Sequence, residues 1–407
     1  MLLSMKIKNF RSFKEMVNIS FQMPENTKID VARRFEINTK QGNIRVLKNA
    51  FIFGGNASGK SNIFKAFLFF SGMILQPTMS DVQGLPVDTF ARNQENTRFE
   101  IKFIKNNSVY IYTLEYKKTE IVFEKLTKDD VVVIERKGQD FITMPDLLSD
   151  TRFLKTIRPT TTALFFAQSN NDAISKEAFS WFYDVRYGNK ENLALKIKED
   201  NDFKEKILYA LKFADFNVVD IEIEEVLRPS RGLNIKQVNE EIQSVEPVTE
   251  FPKILQVFLV HENQGNKYKI HLNNESLGTI QYFNFIMAVF NAQHKHEHLI
   301  LSDEFGQSLH KKLAESIVNL LNSDNNHIQF IGITHNSEMM NLLKKHQIYF
   351  VEKNNAGESE IFKLSDFEED KTRKDANYSK KYENELYGAS QVVNEAGLLA
   401  LLGENNA

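Results

Sequence analysis

The sequence predicts an α/β protein organised around a parallel sheet, and three observations carry that expectation. An apolar run over residues 46–53 leads through a glycine-rich stretch to Ile63, Ala66, Phe67, Phe70 and Ile74, which repeat at helical spacing. The last third of the chain alternates short apolar runs with helical periodicity, the pattern of a parallel α/β sheet. Between the two lie short strand-like runs separated by polar turns, which read as an antiparallel sheet inserted into the main unit.

In chain order, residues 5–10 alternate apolar and polar, as a half-buried strand does. After the helix that follows residue 60, the inserted strands fall at 99–103, 109–116, 121–126 and 131–136, with Lys105-Asn106-Asn107-Ser108 as one of the turns. Residues 162–167 read as a short apolar strand, 174–213 as mostly helical, and 218–227 and 254–272 as strands. A helix is expected from about Leu277, then a strand at 299–301, a helix over 309–321 and strands at 328–333 and 348–351. The organisation expected is an N-terminal part of the main unit (1–75), the inserted sheet (76–160), a strand with a helical subdomain (161–215), the C-terminal part of the main unit (216–365) and a tail of mixed charge (366–407).

Composition narrows the class. The 407 residues carry 51 Lys and Arg against 54 Asp and Glu, a formal charge of −3, so neither a basic nucleic-acid coat nor an acidic disordered tail describes the whole. Hydrophobic residues at 42% supply a core, and 8 Pro with 17 Gly exclude a linker-rich chain. The lack of cysteine excludes disulfides, thiolate zinc sites and a cysteine nucleophile. No secretory signal is visible at the start and no run of about 18 apolar residues occurs, so a cytoplasmic protein without a membrane span is expected.

Gly54, Gly59, Lys60 and Ser61 satisfy the P-loop spacing, in the stretch Gly54-Gly55-Asn56-Ala57-Ser58-Gly59-Lys60-Ser61. Glycines let backbone N–H groups wrap a phosphate, and a helix start near Lys60 adds favourable partial charge. Lys60 can reach β- and γ-phosphate oxygens, and the Ser61 hydroxyl can ligate Mg²⁺. Further on, the apolar strand ending in Ser302-Asp303-Glu304 offers Asp303 for Mg²⁺ and Glu304 to take a proton from an attacking water. Thr334-His335 ends another short strand, and in a parallel sheet that edge is where ligands bind, so His335 can face the γ-phosphate. Glu275-Ser276-Leu277-Gly278-Thr279 precedes a helix and reads either as an N-cap or as a second phosphate-facing helix start.

In this order the elements resemble the ABC-type ATPases, in particular the RecF/SMC/OLD-like branch that includes bacterial ATPases of anti-phage defence. The matching residues are Lys6-Ile7-Lys8-Asn9-Phe10-Arg11-Ser12-Phe13, the loop from Gly54 to Asn62, residues Glu275 to Thr279, the run Asp303-Glu304-Phe305-Gly306-Gln307-Ser308-Leu309-His310, Thr334-His335 and Tyr387-Gly388-Ala389. The resemblance implies an α/β P-loop NTPase head of ABC type, with a mixed sheet, an inserted antiparallel sheet and a helical subdomain. It implies ATP and Mg²⁺ as cofactors, with Gly54, Gly55, Asn56, Ala57, Ser58, Gly59, Lys60, Ser61 and Asn62 around the phosphates.

Ser276, Gly278 and Thr279 match the signature that contacts the γ-phosphate held by a partner subunit, which implies a head-to-tail homodimer around two ATP molecules, or a larger assembly. Glu304 matches the catalytic base, His335 the switch histidine, Ser308-Leu309-His310 the loop crossing the dimer, and Gln168 the glutamine that senses Mg²⁺ and water. The signature departs from the Leu-Ser-Gly-Gly-Gln of transporters, and Phe305-Gly306 replaces the usual isoleucine-aspartate, which implies slow or regulated turnover. The segment after Phe350 offers no Asp-x-Asp for a Toprim nuclease, so a separate effector, a nuclease or toxin, is expected as partner.

Scattered basic pairs such as Lys117-Lys118 and Lys311-Lys312 read first as solvated surface and second as a DNA groove in a dimer. The alternatives to a defence ATPase are thus a RecF-like repair ATPase that binds DNA and a scaffold locked by ATP with negligible turnover. Trp181, in an aromatic cluster, reads as helix core, with a partner surface second.

Overall fold

The computed structural model describes residues 1–24, 27, 29–78, 83–187, 193–214, 216–227, 230–238, 241–250, 253–295, 297–368, 372, 377–390 and 394. The chain divides into two compact units. The first holds Met1–Gly188, Ala292–Gln307 and Lys311–Ala407, and the second holds Asn189–Asn291 and Ser308–His310.

The first unit contains a six-stranded sheet in the order Val185–Tyr187, Leu299–Ser302, Gln329–Ile333, Asn49–Phe53, Ile348–Lys353 and Ser359–Lys363. The first five run parallel and the last antiparallel. Asn49–Phe53 and Gln329–Ile333 are buried at every residue, as parallel strands covered on both faces must be.

The same unit holds a seven-stranded antiparallel sheet in the spatial order Asp140–Thr143, Val131–Lys137, Glu120–Lys128, Ser108–Lys117, Thr97–Lys105, Leu2–Lys8 and Val17–Ser20. Its strands bury alternate residues, as in Thr97–Lys105, where one face meets the core. The helix Lys60–Leu75 contributes Phe64, Phe67, Phe70 and Ile74 to one buried cluster with Leu2, Met5 and Ile7 of the antiparallel sheet and Leu301 and Ile331 of the parallel one. The P-loop helix therefore welds the two sheets together. Trp181 is fully buried, its ring stacked on Phe103 at 4.3 Å between centroids, so it is core.

The strand expected over 162–167 is instead the helix Ala163–Ser169. Its first-turn donors are satisfied from a distant strand: Glu124 accepts from Ala163 N at 2.8 Å and Leu164 N at 2.9 Å, while the Thr162 hydroxyl caps Phe165 N. Glu124 is itself paired with Arg136 Nε at 2.8 Å, both side chains fully buried. The helical stretch at 174–213 is interrupted by the edge strand Val185–Tyr187.

The second unit holds the helices Leu193–Glu199 and Asn201–Phe213, most of the helix Leu277–His294, the two-stranded pair Ser230–Val238 and Glu241–Glu250, and a three-stranded antiparallel sheet. The single strand expected over 254–272 is a hairpin, Lys253–Asn263 with Asn266–His271. Gln264 (φ 49°) and Gly265 (φ 82°) turn it through two positive-φ residues, the backbone twist that a two-residue hairpin requires. Among the described residues no helix is long and apolar enough to cross a membrane.

Candidate nucleotide-binding site

Register in the parallel sheet decides what can meet. Tyr187 stands opposite Leu301, Ser302 opposite Gly332, Ile333 opposite Ile52, and Phe53 opposite Phe350. The segments that begin at Asp303, Thr334 and Gly54 therefore leave the sheet on one edge, the C-terminal edge where ligands bind in open α/β sheets. The strand that carries His335 lies between the acidic strand and the P-loop strand.

Within the loop, Gly54 (φ 155°), Ala57 (φ 60°) and Gly59 (φ 109°) adopt positive φ. A Cβ on Gly54 would stand 2.3 Å from the Val351 carbonyl oxygen, so only glycine fits there. Lys60 opens the helix Lys60–Leu75 and is buried, and its Nζ donates to the carbonyls of Gly54 at 2.8 Å and Gly55 at 2.7 Å. Burial lowers its pKa to about 8, with the Asp303 charge pulling the other way. Ser61 is the second residue of that helix. Asn62 donates to Ser12 Oγ at 2.8 Å and accepts from Arg11 Nη1 at 3.4 Å. Ser359 donates its hydroxyl to Ser58 O at 2.6 Å and its N–H to Ser12 O at 2.7 Å, so the loop is braced from two sides.

On the acidic strand end, Glu304 is exposed and left-handed (φ 54°), and its N–H donates to Asp303 Oδ1 at 3.0 Å. Non-glycine residues in that conformation are strained, a state common at functional sites. Phe305 N donates to Ile333 O at 2.7 Å and Asn336 Nδ2 to Gly306 O at 3.2 Å, which locks this turn to the His335 loop. The His335 pKa is lowered, first by loss of water around the ring and then by the Lys60 charge, against the opposing pull of Glu304 and Asp303. Lys60, Asp303, Glu304 and His335 thus share one electrostatic neighbourhood.

Gln168 lies elsewhere in local structure from where the sequence argument put it. It sits near the end of the helix Ala163–Ser169, not after a strand, and its amide donates to Ser169 Oγ at 2.9 Å. The strand that does end beside the acidic one is Val185–Tyr187, and the Tyr187 pKa is raised first by burial and then by the Asp303 charge. Its ring stands edge-on to Phe64 of the P-loop helix at 5.9 Å. Sequence reasoning missed Tyr187 because a three-residue strand is shorter than any periodicity can register.

In the second unit, Ser276 Oγ accepts from Thr279 N at 3.1 Å and lies 2.8 Å from Thr279 Oγ1, which caps the helix Leu277–His294. Leu277 is 67% exposed at that helix start. A Cβ on Gly278 would stand 3.0 Å from Ser308 O, and Ser308 N donates to Gln281 Oε1 at 3.2 Å. The residues 276–279 and 308–310 therefore form one local surface. The N-cap and the phosphate-facing reading share this geometry.

A family model described as "AAA domain, putative AbiEii toxin, Type IV TA system" matches residues 50–341, more than two thirds of the chain. The chain belongs to this AAA family. The matched span of this AAA protein runs from the P-loop strand past Thr334-His335 and takes in residues 276–279 and 303–304 on the way. Its fold is that of a P-loop NTPase, α/β with a mixed sheet, antiparallel sheets and helices.

Among solved structures, the SMC head domain from Thermotoga maritima is 16% identical, with 89% of this chain and 98% of that chain covered at a TM-score of 0.44. The Smc head domain with an extended coiled coil bound to the C-terminal domain of ScpA, derived from Pyrococcus furiosus, is 13% identical over 89% of this chain and 96% of that chain, with a TM-score of 0.43. An SmcHead bound to the C-winged helix domain of ScpA is 15% identical over 89% of this chain and 97% of that chain at 0.41. No curated protein matches the sequence.

Proposed function

We propose that this AAA protein binds ATP with Mg²⁺ at the P-loop and hydrolyses it slowly, as a head-to-tail homodimer that controls a separate effector. The observation that carries the ATP reading is Lys60: a buried ammonium inside a glycine-walled loop, with the Asp303 carboxylate in electrostatic reach. Such a charge, bonded to carbonyls of its own loop, suits exchange of those partners for phosphate oxygens of higher charge.

Among the described residues no cluster of three His, Asp or Glu forms a metal site by itself. That fits Mg²⁺ bound in the usual way for nucleotides, by phosphate oxygens with few protein ligands, here the Ser61 hydroxyl and Asp303. When bound, the ion would neutralise charge on the phosphates. The residues 54–62 would wrap the phosphates, Lys60 would donate to the β and γ groups, and Glu304, exposed beside Asp303, would take the proton of the attacking water. His335, its pKa lowered first by loss of water around the ring, would offer the γ-phosphate a hydrogen bond.

Ser276, Gly278 and Thr279, with the adjoining 308–310 loop, would meet the nucleotide of a second copy, a role supported by the exposed Leu277 and by the resemblance to ABC-type ATPases. The effector and the anti-phage role draw support from that resemblance and from the toxin–antitoxin wording of the family description. Binding of a fluorescent ATP analogue tests the central reading. Lys60→Ala should abolish it, and retained binding would overturn the site. A plaque assay in cells carrying the protein with its neighbouring gene should lose protection in the same variant if the defence role holds.

A further inference from the structure

Residues 377–389 lie outside the span matched by the AAA family, yet they bond to two loops of the site. Ala389 O accepts the Gly55 N–H at 2.7 Å, one residue into the P-loop, and the Tyr382 hydroxyl donates to the same oxygen at 2.9 Å. The chain reverses to reach that point through Gly388 (φ 66°) and Ala389 (φ 57°), and a Cβ on Gly388 would stand 3.0 Å from the Glu352 carboxylate. The rings of Tyr382 and Tyr387 both stack on Phe350, at 5.5 and 5.7 Å. Phe350 is the register partner of Phe53, the residue that precedes Gly54.

The other end of the segment holds the His335 side of the edge. Glu383 Oε1 accepts from the Ser337 hydroxyl at 2.7 Å and the Ser379 hydroxyl at 3.1 Å, and Asn341 Oδ1 accepts from Ser379 N at 3.3 Å. Ser337 is two residues beyond His335. A helix docked only for its apolar face needs none of these directed bonds. Here both sets fall on loops of the phosphate edge.

We propose that residues 377–389 form a strap that holds the P-loop and the His335 loop in mutual register for nucleotide, with Tyr382 and Glu383 as positioning residues. The inference rests on the ATP reading of the site. Tyr382 acts through Ala389 on Gly55, and Glu383 acts through Ser337 on the His335 loop.

The test compares wild type, Tyr382→Phe and Ser337→Ala by binding of a fluorescent ATP analogue, steady-state hydrolysis, thermal unfolding and hydrogen exchange of the loop 54–61. Tyr382→Phe keeps the ring stack and removes one hydrogen bond. The Kd for the analogue and the KM for ATP should rise about three- to tenfold, the scale of one hydrogen bond, with kcat within about twofold and Tm nearly unchanged. Ser337→Ala should lower kcat and leave the Kd near wild type. Exchange in the loop should be faster in Tyr382→Phe without nucleotide. Wild-type Kd and KM in Tyr382→Phe, or a loss that shows only as a lower Tm, would overturn the strap. Tighter binding would also overturn it, making the segment a competitor for the loop. If wild type binds no ATP, the ATP reading fails, and the exchange measurement decides the strap separately: unchanged exchange in Tyr382→Phe sinks it.

Discussion

Lys60 is where the chemistry of the site is most sensitive to its surroundings. Its pKa falls from 10.5 to about 8 because burial penalises the ammonium more than Asp303 favours it. The sign follows from linkage. Above about pH 8 the folded protein has released this proton while the unfolded chain keeps it up to about 10.5, so this group adds to stability as pH rises across that window. ATP affinity moves the other way, since phosphate needs the charged form. If Lys60 is the phosphate ligand, the Kd for ATP should rise as pH passes about 8, and titrations with an ATP analogue across that range check it; a flat profile would show that burial does not bring the Lys60 proton into that range. Glu304 makes a complementary case. Its strained backbone places an exposed carboxylate beside Asp303, the position from which the proposed proton acceptor would act. Single residues thus hold roles that depend on neighbours distant in sequence.

At the scale of elements, the helix Ala163–Ser169 shows how one buried carboxylate can override a strand-like sequence. Glu124 receives four donors, from Arg136 Nε, Tyr112 Oη, Ala163 N and Leu164 N, all at 2.8–2.9 Å. It fixes the start of that helix to the antiparallel sheet. Glu124→Gln should cost about 3–5 kcal/mol, because it leaves the Arg136 guanidinium buried without its counter-charge. Urea unfolding measures this, and a loss below about 1 kcal/mol would show that the pair does not hold the element. The P-loop helix is the opposite case. Its apolar spacing was legible from Ile63 to Ile74 because it packs between two sheets, and burial then favours the same residues that helical periodicity selects.

For the whole molecule, the proposed dimer is the decisive question. Glu304→Gln removes the proposed proton acceptor and keeps the proposed phosphate ligands, so it should slow turnover by about 10²- to 10⁴-fold. ATP would then persist and dimers accumulate, visible by light scattering after size exclusion. A monomeric Glu304→Gln protein that still hydrolyses ATP would sink the sandwich. The near-neutral charge remains an ordinary surface at the basic pair Lys117-Lys118, where Lys117 bonds Glu120 at 2.7 Å.

The P-loop, the acidic strand end, the strand before His335 and the α/β class can all be read from the residues alone. Each of these is local: a glycine spacing, an apolar run or a helical period is written in consecutive residues. Sequence reasoning failed where a partner arrives from far along the chain. The start of the helix Ala163–Ser169 depends on Glu124, the place of Tyr187 depends on a parallel partner more than a hundred residues later, and the strap on the P-loop depends on Ala389 reaching Gly55. The order of strands along the edge, and with it which charges share one neighbourhood, is set by the folded sheet. Hydrogen bonds and Coulomb interactions act across space, and separation in sequence does not constrain them until the sheet has set its register.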